Sequence, residues 1–299
     1  MRLLNTHTEQ LRDFIQTPRY AILSHTWGDD EVTFKVLSDS DGDCNYKHLK
    51  GYAKIYESCA VARREGFDWI WIDTCCIDKS SSAELSEAIN SMFNWYKDSA
   101  VCYAYLGDFH HDSISTNDHQ DMNAPVAFAA SRWFTRGWTL QELIAPSMVV
   151  FLNASWRELG TKTSLATALS AVTGIDTSVL APLPVVTGSG PWGPQLRVPD
   201  IRSTLHNCSI AQRMSWAARR TTTRVEDAAY SLMGLFDINM PLLYGEGAKA
   251  FLRLQKEILN HSAGDDMSIF VWKYPTHARP NWNWSGVLAP SPDCFEEYG

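Results

Sequence analysis

Four short apolar runs alternate with stretches of helical periodicity, and that alternation restricts this chain more than any other feature. The runs are 20–24, 69–72, 100–106 and 148–152, each bounded by turn-forming or polar residues. Between the first two, Leu49, Tyr52, Ala53, Tyr56 and Ala60 recur at helical spacing until Gly66 stops the pattern. Between the second and third, Leu85, Ala88, Ile89, Met92, Phe93 and Tyr96 draw one apolar stripe, opened by the capping box of Ser81 and Glu84. A third helical segment spans about 124–143, is interrupted near Gly137 and is blocked by Pro146. Buried strands joined by helices predict an α/β fold, a doubly wound and mostly parallel sheet.

The first domain is expected over 1–173, closing with a short helix at 162–173. Residues 174–200 hold Gly188, Gly190, Gly193 and a scatter of prolines, which reads as a connector with little regular structure. Residues 201–299 return to helical spacing and are expected to form a mainly helical companion region that continues beyond the last residue. One helix is expected at 209–219, another from Thr223 or Arg224 through Phe236, and a strand at 268–272. A polar stretch at 110–123 is read as a loop.

Composition narrows the function. Of 299 residues, 26 are Lys or Arg and 34 are Asp or Glu, a net charge of −8, and no basic run offers a track for phosphates. A nucleic-acid partner is therefore not expected. The longest apolar runs are too short to span a bilayer. The 7 cysteines are scattered without a signal-peptide pattern before them, so reduced thiols and a cytoplasmic protein are expected. Adjacent Cys75 and Cys76 suit no zinc knuckle, and His110, His111 and His119 lack metal-ligand spacing, so no metal site is assigned.

In an open parallel sheet, ligands bind beyond the carboxyl ends of the strands. Polar residues collect there: Ser24, His25, Trp27 and Gly28 after the first run, and Asp73 after the second. The segment 136–143 adds a carboxylate beside an indole, because Trp138 and Glu142 are four apart and share a helix face. A glutamate against an aromatic wall can stabilise positive charge developing in a substrate. Taken alone, a W-x-x-x-E spacing more often marks a surface glutamate with no task, and tryptophan more often packs than binds.

Three blocks change that weighting. Residues 21–28 (AILSHTWG), 69–79 (WIWIDTCCIDK) and 136–143 (RGWTLQEL) resemble, in order and spacing, the signature blocks of the fungal heterokaryon incompatibility (HET) domain over roughly 1–155. The later stretches 227–236 (DAAYSLMGLF) and 243–248 (LYGEGA) are similar to a segment that often follows this domain. The resemblance implies a role in self/non-self recognition, as an effector that triggers cell death when incompatible hyphae fuse. Self-association on activation and an NLR-type or other incompatibility partner are expected with it.

A more distant resemblance is to TIR domains, whose plant members carry W-C-L-x-E-L with the glutamate that splits NAD+. Here Thr139 replaces that cysteine, while Trp138, Leu140, Glu142 and Leu143 match. The resemblance implies NAD+ as a substrate rather than a resident cofactor, with Glu142 as the catalytic carboxylate. Ser24, His25, Trp27, Gly28, Asp73, Arg132, Arg136 and Trp138 are then candidates to bind the dinucleotide. Departure of neutral nicotinamide needs no general acid, so one carboxylate at the ribosyl cation suffices. Two other readings stand beside it: a non-enzymatic adaptor that works by self-association, and a thiol hydrolase using Cys75 or Cys76 with His25 as base.

Overall fold

A computed structural model describes residues 1–39, 45–114, 123–190, 193–262, 265–275 and 286–298. It divides into two compact units, the first comprising 1–133 and 145–161, the second 134–144 and 162–299.

The first unit contains β1 (Arg2–Asn5), β2 (Leu11–Asp13), β3 (Ala21–His25), α1 (Phe34–Ser38), α2 (Tyr52–Arg64), β4 (Trp69–Trp71), α3 (Ser82–Asp98) and β5 (Val101–Tyr105). After these come α4 (Ala124–Ala129), the start of α5 (Arg132–Thr135), β6 (Val149–Leu152) and β7 (Glu158–Thr161). β3 to β6 fall on the four apolar runs. They sit in a seven-stranded sheet of order β2-β1-β4-β3-β5-β6-β7. The pairs β4–β3, β3–β5 and β5–β6 are parallel. The pairs β2–β1, β1–β4 and β6–β7 are antiparallel. The sheet is therefore mixed rather than mostly parallel. Its three antiparallel strands have only three or four residues each, too short for alternation to show in the sequence.

Every residue of β3 is buried, as expected of a central parallel strand covered on both faces. Against the sheet, α3 packs Tyr96 and Trp95 edge-on to Trp71, and the Tyr96 hydroxyl donates to the Leu23 carbonyl at 3.2 Å. Half of the expected capping box forms: Ser81 Oγ accepts from the Glu84 amide at 3.3 Å. The Glu84 carboxylate turns elsewhere, to the Asp78 amide at 2.7 Å and to Arg2 Nη1 at 2.7 Å. It thereby ties the head of α3 to β1.

The second unit starts at the end of α5 and contains α6 (Thr139–Ile144), α7 (Ala166–Thr173) and α8 (Thr177–Leu180). β8 (Val185–Gly190) and β9 (Gly193–Arg197) form an antiparallel hairpin inside the segment expected to be irregular. Next come α9 (Ile201–His206), α10 (Ile210–Ser215), α11 (Asp227–Tyr230), α12 (Met233–Phe236) and α13 (Lys249–His261). The single helix expected through Phe236 is thus two one-turn helices, separated at Ser231 and Leu232. The strand expected at 268–272 is instead a 3-10 turn, Met267–Phe270, started by the Asp266 side chain accepting the Ser268 amide at 2.9 Å. An aspartate cap of that kind competes with extended backbone.

Along α13 the buried residues are Ala250, Phe251, Leu254, Gln255 and Ile258, one face of a helix. Gln255 is the polar member. Its side-chain amide donates to the Ala289 carbonyl at 2.8 Å and accepts the Ala289 amide at 3.0 Å, copying a backbone pairing in the interior. No helix among the described residues is long and apolar enough to cross a membrane.

Candidate functional site

The candidate residues fall into two groups. Ser24, His25, Trp27, Gly28, Asp73 and Arg132 belong to the first unit; Arg136, Trp138 and Glu142 belong to the second.

In the first unit, the ends of β3 and β4 bring His25 and Asp73 together. His25 Nε2 lies 3.1 Å from Asp73 Oδ1, and the Trp27 indole donates to Asp73 Oδ2 at 2.8 Å. Lys79 places its ammonium 3.3 Å from the centre of the Trp27 ring. Desolvation pushes the Asp73 carboxyl upward. The charge of Lys79 and the hydrogen bonds from His25 and Trp27 outweigh it and hold the group below its ordinary value. His25 Nδ1 is buried without a hydrogen-bond partner. Trp27 is 43% exposed although its edge is pinned.

The loop between β3 and α1 holds itself. Glu31 accepts the Gly28 amide at 2.7 Å and pairs with Lys54, which also donates to the Thr26 carbonyl at 3.0 Å. A Cβ on Gly28 would meet only ordinary contacts, so glycine is not demanded there by crowding. Ser24 is fully buried, its hydroxyl accepting from the Trp133 indole at 2.8 Å, which makes it a packing partner for that ring. Arg132 is exposed at the start of α5, with its backbone amide bonded to Asp108 at 2.8 Å.

The described cysteines are buried. Cys75 is buried, and its contact with Cys76 and its burial push it well above the ordinary value. Burial takes Cys59 up to about 12. A thiol hydrolase needs an accessible cysteine, and the burial of Cys75 and Cys76 speaks against that alternative.

In the second unit, α6 carries Glu142, and all six of its residues are buried. Glu142 is 8% exposed. The Arg220 guanidinium interacts with it electrostatically and donates to the Arg136 carbonyl at 3.0 Å, Thr139 Oγ1 at 3.1 Å and the Trp216 carbonyl at 3.0 Å. Burial lowers the Arg220 pKa to about 10, against the opposing pull of Glu142. Backbone pairing adds a second tie, since the Gly137 amide donates to the Thr221 carbonyl at 2.9 Å and the Thr221 amide to Thr135 at 2.7 Å. That approach needs Gly137: a Cβ there would meet Thr222 Cγ2 at 2.5 Å.

Trp138 precedes α6, and its indole donates to Asp227. Asp227 also accepts the Tyr244 hydroxyl at 3.0 Å, yet desolvation raises its pKa above the usual carboxylate value. Beside it, Glu226 Oε1 accepts the amides of Gly245 at 2.8 Å and Gly247 at 2.9 Å. Those backbone donors and its own amide hold the Glu226 carboxyl low. Both glycines have positive φ, 102° and 61°, which lets their amides converge on one oxygen. Arg136 Nη2 donates to Thr223 Oγ1 at 3.2 Å.

Lys79, Arg220, Asp227 and Tyr244 were not assigned from the sequence. Lys79 closes the second block, which was a signal. Arg220 sits in an ordinary run of arginines and threonines and gives none.

The three blocks and the mixed sheet that carries the first two define the class. Residues 20–127 match the family described as heterokaryon incompatibility protein (HET), and the chain belongs to it by this match together with the relative that follows. Its similarity to one curated relative extends much further: vegetative incompatibility protein HET-E-1 of Podospora anserina is 46% identical over 244 residues, 81% of this chain. The chain spans 16% of the length of that relative. No solved structure matches.

Proposed function

We propose that this chain is the effector portion of a fungal incompatibility protein, acting in the cytoplasm to trigger cell death when non-self is sensed. The observation that carries this reading is the 46% identity to an incompatibility protein, which extends well past the matched family segment and takes in 136–143. Activation by self-association, with an incompatibility partner as the sensor, belongs to the same reading.

For the chemistry, we propose TIR-like cleavage of NAD+ at the nicotinamide–ribose bond, with Glu142 stabilising the ribosyl cation. Two features support it. The parallel strands run in the order second, first, third, fourth across the sheet (β4-β3-β5-β6), as in flavodoxin-like folds. And Glu142 lies in a low-dielectric setting opposite a cation, where a fixed charge acts more strongly than in water. Nicotinamide release is the test. Wild type releases nicotinamide, with activity rising more steeply than linearly with protein concentration, and Glu142→Gln loses at least about a hundredfold in rate. Release that is unchanged in Glu142→Gln sinks the assignment.

One observation favours a second reading, a non-enzymatic oligomerising adaptor. Glu142 is buried and a guanidinium acts on it electrostatically, which a purely structural role for the carboxylate also explains. On this reading the wild type leaves NAD+ intact and Glu142→Gln changes stability alone.

A further inference from the structure

Trp27 combines two properties that rarely occur together: its ring is fixed by charged partners, and much of it faces solvent. The indole N–H donates to Asp73 Oδ2 at 2.8 Å, so the ring cannot turn without losing a charge-assisted bond. Asp73 is held in turn by His25 Nε2 at 3.1 Å, the last residue of β3. Lys79 covers one face of the indole at 3.3 Å from its centre, and the residue remains 43% exposed. Structural tryptophans of this unit behave differently; Trp71 and Trp133 are fully buried in aromatic contacts.

The position is also particular. β3 continues to β4 on one side and has β5 on the other, so the chain switches direction across the sheet beside His25, which pairs with Tyr105. Open parallel sheets bind ligands at such a crevice. A pinned, half-exposed aromatic there has already given up its rotational freedom, which lowers the cost of receiving a flat partner.

We infer that Trp27 is a stacking platform for a neutral planar heterocycle, a purine nucleoside or nucleotide, contained within the first unit. Lys79 selects the electrostatic type. Its ammonium already occupies the indole's cation-attracting surface, so a second cation stacked on the other side is disfavoured relative to a neutral ring. The inference does not rest on Glu142 or on NAD+ cleavage, because it concerns equilibrium binding without turnover.

The experiment is titration of the full chain with adenosine, followed by ligand-observed NMR and calorimetry, with the N1-methylnicotinamide cation as the contrasting probe. Wild type binds adenosine at least tenfold more tightly than the cation. Trp27→Phe keeps binding within about threefold and Trp27→Ala loses at least tenfold, with near-ultraviolet circular dichroism showing that both variants are folded. Lys79→Met narrows the preference over the cation. Absence of adenosine binding by wild type up to its solubility limit overturns the inference, and so does equal binding by Trp27→Ala. Adenosine binding without nicotinamide release leaves the platform standing and removes the cleavage chemistry.

Discussion

The two acidic centres of this molecule, Asp73 in the first unit and Glu142 in the second, treat charge in opposite ways. Asp73 keeps a quarter of its side chain in solvent, and both its oxygens are taken by aromatic N–H donors, with an exposed lysine nearby. Glu142 is buried in a helix of buried residues and interacts with an arginine that spends its hydrogen bonds on backbone carbonyls and a threonine. The first arrangement orients an exposed ring at low cost. The second places a buried carboxylate in the field of a guanidinium whose own hydrogen bonds go elsewhere. An acidic residue in a signature block therefore carries no fixed meaning until its counter-charge is known.

The comparison can be broken by substitution. The largest effect is expected at Arg220: Arg220→Met strips a donor from the Arg136 and Trp216 carbonyls and removes the cation that acts on Glu142, and costs about 3–5 kcal/mol of unfolding free energy in urea. A loss below about 1 kcal/mol would mean that Arg220 does not make these contacts in the folded chain. Asp73→Asn comes next, at about 1.5–3 kcal/mol, the range for hydrogen bonds to a charged group. Its pH dependence has a definite sign. Asp73 is held below its ordinary value, so its contribution is complete above about pH 4 and fades as pH falls through the lowered folded-state pKa. The stability gap between wild type and Asp73→Asn should close as the medium is acidified through that range, and a gap that widens contradicts the geometry.

Tyr244→Phe removes one donor from Asp227 and should cost about 1 kcal/mol. Asp227 runs opposite to Asp73. Its raised pKa means that its ionisation opposes folding, so the Tyr244→Phe penalty should be greatest once pH exceeds the raised value and the carboxylate is charged. Smallest of all is Ser81→Ala at the head of α3, about 1 kcal/mol or less, because Glu84 is also anchored by Arg2 and the Asp78 amide. Thermal unfolding resolves both.

Much of the first unit was legible in the sequence. The runs that became β3 to β6 are continuous apolar stretches, and α3 announces itself through Ser81 and a clean stripe. β1, β2 and β7 were not legible, because their few residues alternate too briefly and their place in the sheet is set by long-range pairing. In the candidate site, Trp27 and Asp73 were picked out from block and position, and they are joined by a hydrogen bond. The partners of Glu142 and Trp138 were not, since Arg220 and Asp227 lie more than 70 residues further on and pair only through the fold. The division into units follows the same logic. Residues 134–144 group with 162–299, an association between distant segments that no shift in composition along the chain announces.

The Gln255–Ala289 pairing has a practical consequence. A glutamine amide that satisfies both backbone groups of a distant residue works as a two-pronged plug, and withdrawing the socket leaves a wet polar group sealed in oil. Any shortened version cut ahead of Ala289 inherits that defect in the middle of α13, however dispensable the tail looks on paper. Replacing Gln255 with leucine in such a version should recover part of the loss, whereas in the 299-residue chain the same replacement should do harm.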